Sequence, residues 1–166
     1  LENELARHGM KPADIRYVLH THLHMDHVGK DDIFPMSTTV VVNRRELELA
    51  AGHGTMAYQP RDTKPIIERV YTGGAPWIID LAYSGPVEIV PGVVCDLAGG
   101  HTEGSMNVLV ETSDGTACIC GAVIYNVQQQ TVGTNFQLQY REHKTTGNLK
   151  VSFAQERWDR TQACRL

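Results

Sequence analysis

One short segment constrains this chain more than any other: Thr21-His22-Leu23-His24-Met25-Asp26-His27-Val28-Gly29. It follows an apolar run, Ile15 to Leu19, that reads as a short strand containing Tyr17, Val18 and Leu19. Side chains alternate along an extended backbone, so His22, His24 and Asp26 should project to one side. His27 then needs a turn to join them, and Gly29 follows closely enough to help. A helical zinc site would instead place its histidines at i and i+4. Neutral imidazoles with a carboxylate suit borderline divalent metals such as zinc or iron. Chance produces H-x-H-x-D-H in a chain of this composition with a probability on the order of 10⁻³.

A second segment, Gly99-Gly100-His101-Thr102-Glu103-Gly104-Ser105, sets a histidine among three glycines directly after a strand. Glycines let the backbone turn sharply and aim the histidine at a cleft. A catalytic zinc takes three protein ligands and keeps one open position. His22, His24 and His101 would supply the three. Asp26 could orient a water or take a proton as well as bind metal. His20 lies in phase with the first segment and reads as a strand-end histidine, with a hydrogen bond to a ligand as the alternative. Met25, Ile33, Phe34 and Met36 read as core, with the wall of an apolar pocket as the alternative. His8 and His53 have no partner motif and read as surface residues.

Composition excludes several classes. The 166 residues carry 15 Lys+Arg against 19 Asp+Glu, a net charge of −4. No basic cluster exceeds the pair Arg44-Arg45, which disfavours a nucleic-acid binder. No apolar run approaches the ~18 residues of a membrane span. Of the four cysteines, Cys95, Cys118, Cys120 and Cys164, no two form a C-x-x-C pair. Cys118 and Cys120 should face one side of a strand. They read as small buried hydrophobes in a reduced, cytoplasmic protein. Residue 1 is Leu, and no charged-then-apolar leader follows it, so the chain reads as a piece of something longer.

The remaining pattern is one mixed α/β domain over residues 1–166. Glu2 to His8 reads as helix closed by Gly9, and Lys11 to Asp14 as a turn. Thr38 to Val42 is a buried strand, and Asn43 can cap a helix from Arg44 to about Ala51 that Gly52 closes. Gly54 to Ile79, with three prolines and Gly73-Gly74, suggests broken helix and loop. Val87–Val90, Gly92–Leu97, Asn107–Glu111 and Thr116–Gly121 read as strands, the last two joined by a hairpin turn at Ser113-Asp114-Gly115. Val127 to Thr146 suggests a polar loop or lid. Leu149 to Leu166 reads as helical without a clear stop.

The pair H-x-H-x-D-H and G-H-T-x-G-S, in this order and about this far apart, resembles the metallo-β-lactamase-fold hydrolase superfamily. The flanks resemble its N-acyl-homoserine-lactonase-like branch. The resemblance covers Ile15 to about Tyr125 and implies an αββα sandwich with a two-metal site at one edge. It assigns His22, His24 and His101 to metal 1, and Asp26 and His27 to metal 2. It further implies that Tyr125 holds the substrate carbonyl or oxyanion. The implied chemistry is a metal-dependent opening of a lactone or similar ester by metal-bound hydroxide. Zinc would serve, as one or two ions, with iron or manganese as alternatives. The implied partner is a small lactone or ester, with no nucleic acid or membrane; oligomeric state stays open.

Two departures from the family pattern matter. Its next motif is a strand ending in Gly-Asp, where the Asp bridges both metals. Here Cys118-Ile119-Cys120-Gly121 is followed by Ala122. Without that anion two dications repel across less intervening charge, so metal 1 should bind well and metal 2 weakly or not at all. The family's last histidine has only His143 as a counterpart, without the apolar strand expected before it. The family's N-terminal strands have no counterpart either, so the sandwich looks incomplete at both ends. A glyoxalase II-like thioesterase, a mononuclear iron dioxygenase and a disabled, non-catalytic member are the competing readings.

Overall fold

The computed structural model describes residues 1–52, 56–72, 76–99 and 101–122. His53, Tyr125, His143, Cys164 and the two C-terminal segments read above lie outside the described residues. The chain divides into two compact units, Leu1–Ile79 and one that begins at Asp80.

The first unit opens with helix α1, Glu2–Arg7, and a 3₁₀ turn at Pro12–Asp14. Its sheet holds β1 (Tyr17–Leu19), β2 (Thr39–Asn43) and β3 (Trp77–Ile79), in that order and all parallel. Tyr17 pairs with Thr39 and Leu19 with Val41, and the His20 N–H extends the ladder to the Val41 carbonyl at 3.1 Å. Val40, Val41 and Val42 are fully buried, as a central parallel strand covered on both faces requires. Helices α2 (Arg44–Gly52) and α3 (Pro60–Thr72) make the crossover from β2 to β3. Leu23, Val40, Val42, Tyr58 and Ile66 form the core of this unit.

Two expectations need correction here. The segment from Gly54 to Ile79 contains the 13-residue helix α3 rather than broken helix. Pro60 occupies its first position, where a missing N–H costs nothing. Pro65 forfeits one early bond, yet Asp62, Ile66 and Arg69 bury a stripe at helical spacing, and that packing outweighs the loss. Strand β3 was hidden behind Gly73-Gly74 and Pro76 because three residues carry almost no periodic signal.

The second unit begins with the short helix α4, Leu81–Ser84. An antiparallel sheet follows: β4 (Val87–Val90), β5 (Val93–Leu97), β6 (Met106–Thr112) and β7 (Gly115–Ile119), in sequential order. Thr112 pairs with Gly115, so Ser113-Asp114 is a two-residue turn, and Gly115 takes a φ of +117° open to glycine. Cys95, opposite Val108, is fully buried, and burial pushes its thiol up to about 11. Cys118 on β7 and Cys120 just past its end are half-buried rather than buried as expected. No described cysteine is in a disulfide. Among the described residues no helix is long and apolar enough to cross a membrane.

Candidate metal centre

The loop from His20 to Gly29 leaves the carboxyl end of β1, where open parallel sheets place their ligand sites. It begins extended, so His22 and Leu23 fall on opposite faces. Leu23 is fully buried in the core, and its burial fixes the direction of its two histidine neighbours. The ring nitrogens of His22 and His24 lie within 4.8 Å of each other, with ring centroids 4.8 Å apart. Neutral imidazoles at that spacing are a donor set for a borderline divalent cation.

Beyond His24 the chain turns: the His27 N–H donates to the His24 carbonyl at 2.8 Å. The turn carries the His27 ring to 4.0 Å from the His22 ring. His27 therefore joins the cluster through the turn its spacing required. Asp26 does not follow simple alternation, because the turn interrupts the extended backbone before it. Its side chain is 74% exposed, with Oδ2 3.5 Å from His27 Nε2. Gly29 closes the loop at a φ of +106°, and a Cβ there would meet Asp62 Oδ1 at 2.9 Å, so only glycine lets α3 approach. A cavity of about 440 Å³ borders Asp26 and His27 and is walled by Leu5, Tyr17 and Phe34.

Four buried polar residues hold this loop and the segment that follows it, and the sequence reading gave a role to His20 alone. His20 Nε2 meets Asp31 Oδ1 at 2.8 Å, so His20 is more than a strand end. Arg69, 2% exposed, donates to the carbonyls of Asp31, Phe34 and Thr38 at 3.0 Å and of Pro35 at 3.3 Å. Glu46 Oε1 accepts the Leu23 N–H at 2.9 Å. The available signal was the helical spacing of Asp62, Ile66 and Arg69, which puts an arginine on a buried face. Of the apolar residues near the loop, Phe34 is buried, while Met25 and Met36 are about half exposed and are not core.

In the second unit His101 sits on the loop between β5 and β6. The Ser105 carbonyl accepts the N–H groups of Ala98 and Gly99, both at 2.9 Å, and the His101 N–H donates to Gly99 at 2.9 Å. The hydroxyls of Thr102 and Ser105, 2.8 Å apart and buried, tighten the same loop. His101 itself is half-buried. Ala122 follows β7 in a turn and is 3% exposed.

The Metallo-beta-lactamase superfamily profile matches residues 1–165. An N-acyl homoserine lactonase of a Bacillus species is 31% identical over 139 residues, covering 81% of this chain and 46% of that protein. The Bacillus cereus N-acyl homoserine lactonase is 29% identical over 133 residues, covering 80% and 46%. The chain thus spans about half the length of the curated relatives it matches. A solved N-acyl homoserine lactone hydrolase, with the product N-hexanoyl-L-homoserine at its catalytic metal centre, superposes with a TM-score of 0.67 at 22% identity. That match covers 99% of this chain and 57% of the other, and it shows the α/β fold of the metallo-β-lactamase type. By fold, motif and sequence profile, the chain belongs to the metallo-beta-lactamase superfamily.

Proposed function

We propose that this chain carries the metal site of a metal-dependent hydrolase that opens a lactone or a similar ester. The observation that carries the reading is the convergence of His22, His24 and His27 on one loop at the carboxyl end of β1. His22 and His24, with His101, would hold a first cation, zinc by donor chemistry, with iron or manganese also compatible. Asp26 and His27 would be ligands of a second. Such a cation supplies Lewis acidity towards a carbonyl and makes a water more acidic. Asp26 is exposed beside the cavity, which supports a role in orienting a water or accepting its proton. Tyr125 is assigned to the substrate carbonyl by its position in the motif. The lactonase names of the relatives support an acylated lactone as substrate. The described thiols, none of them in a disulfide, fit a reducing, cytoplasmic setting.

Ala122 favours a second reading alongside the first. A buried methyl stands where the motif's bridging carboxylate belongs, so the site would be mononuclear or disabled. Metal analysis under limiting zinc, with a hydrolysis screen of acyl lactones, thioesters and β-lactams, tests both. One tight equivalent with lactone turnover supports the hydrolase. One equivalent without turnover supports the disabled member. No bound metal refutes both.

A further inference from the structure

The residues on either side of His24 are tethered to distant parts of the first unit. The Leu23 N–H donates to Glu46 Oε1 on α2 at 2.9 Å. The Met25 N–H donates to the Ala57 carbonyl at 2.9 Å. Next to Ala57, Tyr58 donates its hydroxyl to the same Glu46 oxygen at 3.0 Å. The Tyr58 ring then packs edge-on against the His24 imidazole, centroids 4.7 Å apart at 65°. Glu46 is 1% exposed and Tyr58 8%.

Burying a carboxyl group is costly unless hydrogen bonds satisfy it, and two of the donors here are groups that define where His24 stands. The oxygen of Glu46 is therefore a common anchor for the backbone before His24 and for the ring that flanks its imidazole.

We infer that Glu46 and Tyr58 are positioning residues that fix the direction of the His24 imidazole and so set the affinity of the metal centre. This inference rests on the metal-centre reading above. Neither residue touches the cation; they act through His24. Groups that orient a ligand in this way change metal affinity by about 10–100-fold when removed. Geometry, rather than charge at a distance, carries the effect, because both bonds end on one oxygen.

The test is a cobalt(II) titration of the purified chain, followed by its visible absorption, with circular dichroism as the folding control. Tyr58→Phe keeps the ring and deletes the hydroxyl. Glu46→Asp keeps the charge and withdraws the oxygen by one methylene. Both should weaken cobalt binding about tenfold and shift the ligand-field bands at unchanged dichroism. Glu46→Gln retains an oxygen for both donors and should stay within about threefold of the wild type. Unchanged affinity and spectrum in Tyr58→Phe and Glu46→Asp would overturn the positioning role and leave the metal centre standing. A tenfold loss in Glu46→Gln would move the effect to charge and overturn it as well. A wild-type chain that takes up no cobalt overturns the metal centre and this inference with it.

Discussion

His20 Nε2 and Asp31 Oδ1 lie 2.8 Å apart inside the first unit, 7% and 2% exposed, where the histidine-rich loop leaves its strand. The same Asp31 gives its main-chain carbonyl to Arg69 at 3.0 Å. One residue thus joins the start of the loop to a helix 38 positions away in sequence. Asp31→Ala leaves the His20 ring buried without this partner. The expected loss is about 3 kcal/mol. Urea unfolding should show a lower midpoint at an unchanged slope. A midpoint equal to that of the wild type would show that the pair holds nothing.

Arg69→Lys isolates the guanidinium. Four carbonyls surround the arginine head, at 3.0 to 3.3 Å. An ammonium is a compact charge with three donors and cannot span that fork of acceptors. The substitution should cost about 2 kcal/mol in the same urea measurement, although the charge is kept. Retained stability would mean that charge alone suffices.

Gly29→Ala combines two penalties. The φ of +106° strains any side chain, and a Cβ would sit 2.9 Å from Asp62 Oδ1. Together they should remove about 1–3 kcal/mol. In an Asp62→Ala background the contact disappears while the backbone strain remains. Thermal unfolding of the two single variants and the double variant should therefore show partial, not complete, relief.

Cys95 gives a pH signature. Burial pushes its thiol up to about 11. The folded state holds its proton more tightly than the unfolded state. The stability this confers is fully present below about pH 9 and is lost as pH rises towards 11. Unfolding midpoints should therefore fall across that window in the wild type and fall less in Cys95→Ala. Alkylation with iodoacetamide at pH 8 should leave Cys95 unmodified until urea is added. Rapid native-state labelling would contradict its burial.

Ala122→Asp probes the proposed chemistry. An added carboxylate at the end of β7 should raise tightly held zinc from one equivalent to two. Lactone hydrolysis should rise at least about tenfold. If both stay at wild-type levels, the site works with one cation or position 122 is not the bridging position.

Much of the first unit is legible in the sequence because its signals are local. The β-branched run Thr38–Val42 reads as a buried strand from adjacent residues alone, and the observed strand is Thr39–Asn43. The Ser113-Asp114 turn announces itself through the glycine that follows it. The clustered imidazoles of His22, His24 and His27 are equally local, because they share one loop. Proline and glycine counts misled over Gly54 to Ile79, because a helix held by packing tolerates an early proline.

What the sequence by itself determined is the histidine-rich loop and the strand that delivers it, since both depend on neighbours within a few residues. Tertiary structure alone decided which buried groups hold that loop. Glu46 reaches Leu23 across 23 positions, and Arg69 reaches Asp31 across 38. It also decided that Asp26 turns outward while His27 turns in, because the His24–His27 hydrogen bond overrides alternation. A buried polar atom needs a partner through space, and no short-range pattern of letters records which distant residue folding will bring to it.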